Sequence, residues 1–236
     1  MERLALDRFA SPWLRNQHLA RYHWAAGLAT GKDVLDAACG SGYGSFILRG
    51  GGARRVTCVD LSPESFAASP RPARAIRGDV TRLPLASGCV DLYVSFETLE
   101  HVEDDASLLR EARRVLAPGG LFLCSTPNRD LLSPGHTLAD RPRNPYHFRE
   151  YSITELERLL SRFFPRVSLL GQTWFSDSHS RRLAWAGARS PQAAVRLQQL
   201  RNLASLPWET IGRHQPRPFG EAGVPEVVIG VCSNLS

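Results

Sequence analysis

Short apolar runs along the chain predict the strands of a sheet. In the first half they lie near residues 34–35, 56–59, 73–77, 90–95 and 121–126. Segments 166–174 and 226–232 predict a sixth and a last strand. Helical patterns separate several of these runs, and such alternation is typical of an α/β domain with a mostly parallel sheet. In such sheets, ligands bind at the carboxyl ends of the strands.

Four other stretches have the spacing of apolar residues that is typical of helices. Residues 12–28, 105–116 and 153–164 predict helices, and residues 193–206 predict a basic one. The pattern is clearest at 105–116, where the apolar stripe consists of Leu108, Leu109, Ala112, Val115 and Leu116. We expect Asp105 to cap this helix and Pro118-Gly119-Gly120 to end it.

A glycine-rich turn follows the first predicted strand and precedes a helix. Its glycines remove the side chains that would keep a ligand from the backbone, and they allow positive φ angles. They are Gly40, Gly42 and Gly44. Asp60 ends the second strand twenty residues after Gly40, where a carboxylate can accept hydrogen bonds from both hydroxyls of a ribose. A dinucleotide fingerprint needs a glycine where this chain has Ser45, so the turn disfavours a dinucleotide.

The ordered series of motifs resembles the class I S-adenosylmethionine (SAM) methyltransferases. Arg77-Gly78-Asp79-Val80 follows the third strand, residues 96–102 follow the fourth, and Ala117-Pro118-Gly119-Gly120 precedes the fifth. The resemblance covers Lys32 to about Phe164. It implies a Rossmann-like fold, with a seven-stranded, mostly parallel sheet, helices on both faces and an antiparallel last strand. It also implies SAM as the cofactor.

The resemblance also implies which residues bind that cofactor. Asp79 would contact the adenine amino group, and Tyr22, with Arg21 or His18 beside it, would close over the methionine part. Packing of the N-terminal helix is the alternative role for Tyr22. The full set of expected cofactor-binding residues is Tyr22, Asp36, Ala38, Gly40, Gly42, Asp60, Leu61, Asp79, Val80, Phe96 and His101.

Three side chains after the fourth strand have the spacing of one helical turn. Glu97, Glu100 and His101 stand at i, i+3 and i+4, so a helix would aim all three to one side. Two carboxylates and an imidazole can hold a divalent cation such as Mg²⁺, Mn²⁺ or Zn²⁺. The pattern resembles that of ubiquinone-pathway O-methyltransferases and small-RNA 2′-O-methyltransferases, which use it for a metal. The alternative is a metal-free site, where the glutamates pair locally and His101 packs or serves as a general base.

A second histidine, His147, is a candidate for the same site. In the RNA enzymes a further histidine follows the fifth strand, which makes His147 a candidate fourth ligand and His136 a weaker one. The segment Asn144-Pro145-Tyr146-His147 also resembles methyltransferases of sugar and polysaccharide pathways, in which His147 would touch the substrate. A purely structural role for His147 after Pro145 stays open. His101 and His147 are therefore the expected catalytic residues.

Composition constrains the partners and the compartment. The net charge of +6 comes almost entirely from arginine, because Lys32 is the only lysine. This balance favours an anionic small-molecule substrate, for which Arg143 and Arg149 are candidates, whereas the scattered arginines argue against nucleic acid. The five cysteines form no Cys-x-x-Cys pair and are expected to be free thiols. The chain shows no apolar run of membrane-spanning length and no signal peptide, so we expect a cytoplasmic protein, and a homodimer is an open alternative to a monomer.

Taken together, the sequence predicts a single methyltransferase domain over residues 1–236. It would comprise an N-terminal helical cap (1–30), a SAM-binding core (32–126), insertions that cap the substrate (127–151 and 175–220) and the last strand (226–232). The predicted reaction moves a methyl group to a hydroxyl of a small metabolite, with or without a metal. The alternatives are an RNA 2′-O-methyltransferase, an N- or C-methyltransferase of a small molecule, and a non-catalytic SAM-binding protein.

Overall fold

The computed structural model describes residues 12–62, 74–175, 214–219 and 223–234. In this part of the chain, eight strands form one sheet. The strands are β1 (Asp33–Ala37), β2 (Arg55–Asp60), β3 (Arg74–Arg77), β4 (Val90–Phe96), β5 (Leu116–Pro127), β6 (Arg166–Phe175), β7 (Arg217–Pro218) and β8 (Val224–Ser233). The helices are α1 (Pro12–Ala26), α2 (Tyr43–Gly50), α3 (Asp105–Val115), α4 (Arg129–Leu132) and α5 (Ile153–Ser161), and a 3₁₀ turn spans Leu99–His101.

The strand order is β3-β2-β1-β4-β5-β8-β6-β7. The first five strands pair in parallel, while β8 runs antiparallel to both β5 and β6. This confirms the predicted Rossmann-like, mostly parallel sheet with an antiparallel last strand. The two-residue β7 at the edge is an eighth strand that the sequence did not indicate, because two residues carry no periodicity.

Helices cover both faces of the sheet, as predicted. On one face, Leu108 of α3 and Leu156 of α5 pack into a buried cluster with Tyr93 and Phe122. On the other face, side chains of α1 and α2 pack with the neighbouring sheet residues, which include Leu92 and Leu123. Consecutive residues of β4 and β5 thus point to opposite layers, as strand geometry requires.

Helix ends differ from the predictions in four places. The cap of α3 is Asp104, whose Oδ1 accepts from the Ser107 N–H at 2.9 Å, because Asp105 already lies in the helix. Pro118-Gly119-Gly120 lies inside β5, where the register shifts against β4 and Gly119 has a φ of 75°. α1 ends at Ala26 and α5 at Ser161, so both are shorter than expected. The basic helix predicted at 193–206 falls outside the described residues.

The helices of the described segments include none that is long and apolar enough to cross a membrane.

Candidate active site

A cleft of about 680 Å³ opens at the carboxyl edge of the sheet. The tips of the parallel strands line it, and Glu226 and Val227 line it too, because β8 runs antiparallel and begins at this edge. The cleft therefore lies where ligands bind in parallel α/β sheets. Of the predicted cofactor-binding residues, the cleft is lined by Tyr22, Ala38, Gly40, Asp60, Leu61, Asp79, Val80, Phe96 and His101.

The glycine turn is held in place by Asp60. Its Oδ2 accepts from the Gly40 N–H at 2.9 Å, and its Oδ1 accepts from the Ser62 N–H at 3.0 Å. Gly40 and Gly42 have φ angles of 54° and 80°, which other residues rarely adopt. Each carboxylate oxygen has more than one lone pair, so Asp60 can hold the turn and still accept hydrogen bonds from a ligand.

Asp79 marks the far end of the cleft, at the tip of β3. Its Oδ1 accepts from the backbone N–H and the hydroxyl of Thr81, both at 2.8 Å. Val80 lies beside it, and Leu61 lines the cleft with 46% of its surface exposed. An exposed leucine at the rim of a cleft gives an apolar surface against which a flat ring could pack.

Asp36 is fully buried and does not line the cleft. The Tyr22 hydroxyl donates to its Oδ1 at 3.1 Å, and the Ser45 hydroxyl donates to its Oδ2 at 2.5 Å. Burial raises the pKa of Asp36 to about 7, the two hydrogen bonds oppose this shift, and the charge of Asp60 adds to it. Asp36 therefore contacts the cleft-lining residue Tyr22 rather than the cleft itself.

Three aromatic rings meet at the middle of the cleft. The ring of Tyr22 stands edge-on to Tyr43, with centroids 5.3 Å apart, and to Phe96, with centroids 5.1 Å apart. A Cβ atom at Gly44 would lie 2.1 Å from the Tyr22 ring. The third glycine of the motif thus makes room for Tyr22 rather than for the ligand directly.

Glu97 is committed to a buried ion pair rather than to the turn that follows it. It has a φ of 50°, and its Oε1 accepts from Arg21 Nη1 and from the Ser125 hydroxyl at 2.7 Å. Arg21 is fully buried. Nearby, His18 Nδ1 lies 3.0 Å from the Tyr43 hydroxyl, and burial, followed by the charge of Arg21, holds the pKa of His18 well below its ordinary value.

The predicted convergence of Glu97, Glu100 and His101 therefore differs from what the structure shows. The 3₁₀ turn begins at Leu99, after Glu97, so only Glu100 and His101 share it. Among the described residues, Glu100, His101 and His147 offer ligand atoms that all lie within 4.8 Å of one another. His136, the weaker candidate, is not a member of this group.

Glu100 is a buried acid with an unsatisfied oxygen. It is 1% exposed, and its Oε2 has no hydrogen-bond partner among the described residues. Burial, and then the charge of Glu97, raise the pKa of Glu100 well above its ordinary value. A buried carboxyl group without a full set of partners is costly, and such groups concentrate at functional sites.

The loop after β5 orients both histidines. His101 Nδ1 lies 2.9 Å from the carbonyl oxygen of Tyr146, and His147 Nδ1 lies 2.8 Å from Glu150 Oε1. Sequence reasoning missed Glu150 because a carboxylate three residues after a histidine in a loop has no fixed orientation. It missed the Tyr146 carbonyl because no side chain marks it.

Glu226 and its partners form a further polar group at the β8 end of the cleft, and no local motif marks these contacts. Glu226 Oε2 accepts from Trp13 Nε1 at 3.1 Å and from Gln17 Nε2 at 2.9 Å. Gln17 also donates to the Thr173 hydroxyl at 3.0 Å. These contacts join residues more than 150 positions apart, so only the folded chain brings them together.

The charges in the cleft are opposite to those of the whole chain. The acidic residues that line it are Asp60, Asp79, Glu97, Glu100, Glu103, Asp104 and Glu226, and the described lining contains no arginine or lysine. Arg149, which was a candidate for an anionic substrate, instead donates to Asp105 Oδ2 at 2.6 Å and to the Glu103 carbonyl at 3.2 Å. The other candidate, Arg143, does not line the cleft.

Comparisons with known proteins agree with the fold. Residues 35–124 match the model of a methyltransferase domain family. A protein of Mycolicibacterium smegmatis named a probable S-adenosylmethionine-dependent methyltransferase is 38% identical over 201 residues, which cover 84% of this chain and 74% of the relative. A ubiquinone biosynthesis O-methyltransferase of Methylocella silvestris is 32% identical over 162 residues, which cover 62% of this chain and 63% of the relative.

A similar structure extends the agreement to almost the whole fold. The crystal structure of a SAM-dependent methyltransferase from Thermotoga maritima has a TM-score of 0.62 at 15% sequence identity. The superposition covers 94% of this chain and 93% of the Thermotoga maritima chain. The sheet, the glycine turn and the acidic strand tips define a Rossmann-like protein of the methyltransferase type. The chain belongs to the class I SAM-dependent methyltransferases. It is an enzyme whose cofactor is SAM.

Proposed function

We propose that the enzyme transfers the SAM methyl group to a hydroxyl of a small metabolite, with His101 as the general base. One observation carries this proposal. A carbonyl oxygen only accepts hydrogen bonds, so the contact with Tyr146 places the ring proton of neutral His101 on Nδ1. The acceptor lone pair is then on Nε2, in a ring that lines the cleft.

This placement suits the chemistry of methyl transfer to oxygen. The reaction is an in-line displacement at the methyl carbon, so positioning supplies much of the rate. A hydroxyl must also lose its proton, which a neutral imidazole can take as the oxygen attacks. The name of the Methylocella silvestris relative, an O-methyltransferase, supports oxygen as the acceptor atom.

The cofactor would lie along the tips of the first four strands. We propose that Asp60 binds the ribose hydroxyls, that Asp79 meets the adenine amino group and that Tyr22 covers the methionine part. This assignment is supported by the order of the strands, since β3, β2, β1 and β4 are neighbours in the sheet. The methyl group would then point toward the tip of β4 and His101.

The acceptor would lie at the other end of the cleft and carry no negative charge. This end is lined by Pro127, the last residue of β5, and by Leu132, Asn144, His147 and Phe148 of the segment that follows. This lining supports the role of residues 127–151 as a substrate cap. Acidic side chains without arginine or lysine in the described lining would repel a phosphate or carboxylate. The described lining therefore supports an uncharged, hydroxyl-bearing acceptor rather than the anionic one that the composition favours.

A cation-assisted reaction is the second candidate, favoured by the ligand atoms of Glu100, His101 and His147. The orphaned Glu100 oxygen fits a cation ligand, and a carboxylate with two imidazoles is a donor set suited to Zn²⁺ or Mn²⁺. When bound, the ion would supply a Lewis acid that lowers the pKa of the acceptor hydroxyl. His101 would then be a ligand instead of the base. Glu97 would remain in its ion pair with Arg21 and would not be a ligand of the cation.

The test is a screen of hydroxylated metabolites for release of S-adenosylhomocysteine, followed by identification of the methylated atom. With a hit in hand, His101→Ala should lower turnover by about 100-fold or more, the usual scale for a general base, while SAM affinity stays nearly the same. His23→Ala is the matched control, because His23 is exposed on α1, outside the cleft lining. Turnover that survives in His101→Ala would refute the role of His101.

The same assay separates the remaining alternatives. Activity that falls with chelator and returns with Mn²⁺ or Zn²⁺ would select the cation-assisted reaction, and activity indifferent to both would remove it. A methylated nitrogen or carbon in the product would move the acceptor away from oxygen. Salt-sensitive binding of a short RNA would favour the 2′-O-methyltransferase, and SAM binding without turnover on any acceptor would favour a binding protein.

A further inference from the structure

Glu150 is a buried carboxylate that no part of the proposed chemistry uses. It is 3% exposed, its Oε1 accepts from His147 Nδ1 at 2.8 Å, and its Oε2 accepts from the Ser133 hydroxyl at 2.5 Å. Burial alone would raise the pKa of Glu150, but the hydrogen bonds from His147 and Ser133 hold it below its ordinary value. The Glu150 carboxyl group thus contacts the His147 imidazole through one oxygen and Ser133 through the other.

The neighbouring amide fixes the tautomer of His147. Asn144 Oδ1 accepts from the Tyr146 N–H at 3.0 Å, so its Nδ2 is the atom that donates to His147 Nε2, at 2.9 Å. A neutral imidazole has one donor and one acceptor nitrogen. The proton of His147 is thus on Nδ1, shared with Glu150, and Nε2 is the acceptor.

His147 in turn contacts the proposed base. The two imidazole rings stand edge-on, with centroids 4.8 Å apart and an interplanar angle of 82°. The Tyr146 carbonyl that holds His101 Nδ1 belongs to the residue next to His147. A rotation of the His147 ring would therefore disturb its contact with the His101 ring.

We propose that Glu150 is a positioning residue of the active site, which fixes the ring plane of His147 and, together with Asn144, its tautomer, and through them the orientation of His101. The proposal rests on the role of His101 in the proposed function. Ser133 holds the second oxygen of Glu150, and Asn144 closes the other side of His147. The contacts run from Ser133 to Glu150, from Glu150 to His147 and from His147 to His101.

Other contacts hold the loop around Glu150, so the fold of the loop does not by itself require a buried charge at residue 150. Asp105 Oδ2 accepts from Arg149 at 2.6 Å and from the Tyr151 hydroxyl at 2.7 Å, on either side of Glu150. The Phe148 N–H also donates to the Glu100 carbonyl at 2.8 Å. Replacing buried charges by apolar residues is often neutral or stabilising, so stability is a weak reason for a buried carboxylate.

The first test reads the ring nitrogens by ¹⁵N NMR of the full chain, which needs no acceptor. In the wild type, His147 and His101 should both show a protonated Nδ1. In Glu150→Ala, His147 Nδ1 loses its hydrogen-bond acceptor, so the ring signals of both His147 and His101 should shift, although the contacts of Glu150 are with His147 and Ser133. Glu150→Gln offers Oε1 as an acceptor and should restore part of the wild-type pattern. Asp140→Asn, an exposed acid of the same segment, should change neither histidine.

A folded Glu150→Ala variant with unchanged His147 and His101 signals would overturn the proposal. If Glu150→Ala does not fold, Glu150→Gln and Ser133→Ala decide it, and unchanged ring signals in both would overturn it equally. With an acceptor in hand, Glu150→Ala should lower kcat by about 10- to 100-fold, the range for residues that orient a functional histidine, and change KM little. A failed acceptor search would count against the proposed function and would leave the NMR result valid.

Discussion

Arg21 of α1 and Glu97 after β4 form an ion pair that fixes the N-terminal helix to the turn preceding His101. The guanidinium is fully buried and the carboxylate side chain is 15% exposed, with Nη1 and Oε1 2.5 Å apart. The Ser125 hydroxyl donates to the same carboxylate oxygen, and the Glu97 N–H donates to the Ser125 carbonyl. These contacts hold Glu97 in a backbone conformation that glutamate rarely adopts.

Removing one partner of this pair should destabilise the fold. In Arg21→Ala the Glu97 carboxylate loses its buried counter-charge, and we expect the free energy of unfolding to fall by about 3 kcal/mol or more. Urea denaturation measures this. Arg110→Ala is the control, because Arg110 and Asp104 are both mostly exposed and their ion pair is long, at 3.9 Å. Equal stability of Arg21→Ala and Arg110→Ala would contradict the role given to Arg21.

Two glycines of α2 should respond oppositely to the same substitution. In Gly44→Ala the new Cβ meets the Tyr22 ring, which cannot swing away because it packs against Tyr43 and Phe96 and donates to Asp36. We expect a loss of about 1–3 kcal/mol from overpacking and weaker binding of S-adenosylhomocysteine.

Gly50→Ala is the matched control for that substitution. A Cβ at Gly50 meets nothing within 4 Å, and alanine favours helix, so stability should stay the same or rise by up to about 1 kcal/mol. Thermal unfolding and calorimetry on the two variants provide the comparison. Gly44→Ala with wild-type affinity and stability would show that Tyr22 does not occupy this space.

Asp36 should make stability depend on pH between about 4 and 7. Its pKa is raised to about 7 in the folded chain, above an unfolded value of about 4, so the folded state retains a proton that the unfolded state loses. The stability that this proton gives is fully present below pH 4 and is lost as the pH rises through 7.

Asp36→Asn removes this titration and supplies the measurement. The stability of the variant relative to wild type should rise by a few kcal/mol from pH 4 to pH 7, at about 1.4 kcal/mol per unit of pKa shift, and then level off. Other acids cancel in this comparison because both proteins contain them. A difference between the two proteins that is constant from pH 4 to pH 8 would show that Asp36 is ionised throughout.

The parts of the site that depend on local pattern could be predicted from the sequence. The glycine turn and the acids at the tips of β2 and β3 are recognisable because a strand, a turn and the spacing to Asp60 are contiguous signals. The structure places Gly40, Asp60 and Asp79 in the cleft as expected. The helix cap at Asp104 was missed by one residue because adjacent aspartates offer equivalent caps.

Contacts between distant segments could not be predicted in this way. The assignment of Glu97 to the group of Glu100 and His101 assumed a continuous helical turn, whereas Arg21, 76 positions earlier, draws its carboxylate away. Glu226 reaches the cleft only because β8 is antiparallel and starts at the ligand edge. Helical spacing contains no information about the Arg21 contact. The expected antiparallel last strand brings Glu226 to this edge, but motif order does not indicate its contacts with Trp13 and Gln17.

The central claim is that the cleft holds SAM with Asp60 on the ribose, and calorimetric titration with S-adenosylhomocysteine tests it most directly. The wild type should bind one molecule per chain, and Asp60→Ala should bind at least about 100-fold more weakly, since it loses two hydrogen bonds to a charged group. Asp91 contacts Arg54 and the Asp33 N–H away from the cleft. Asp91→Ala should therefore bind S-adenosylhomocysteine like the wild type. Equal affinity of Asp60→Ala and wild type, or a wild type that takes up no S-adenosylhomocysteine, would contradict the account.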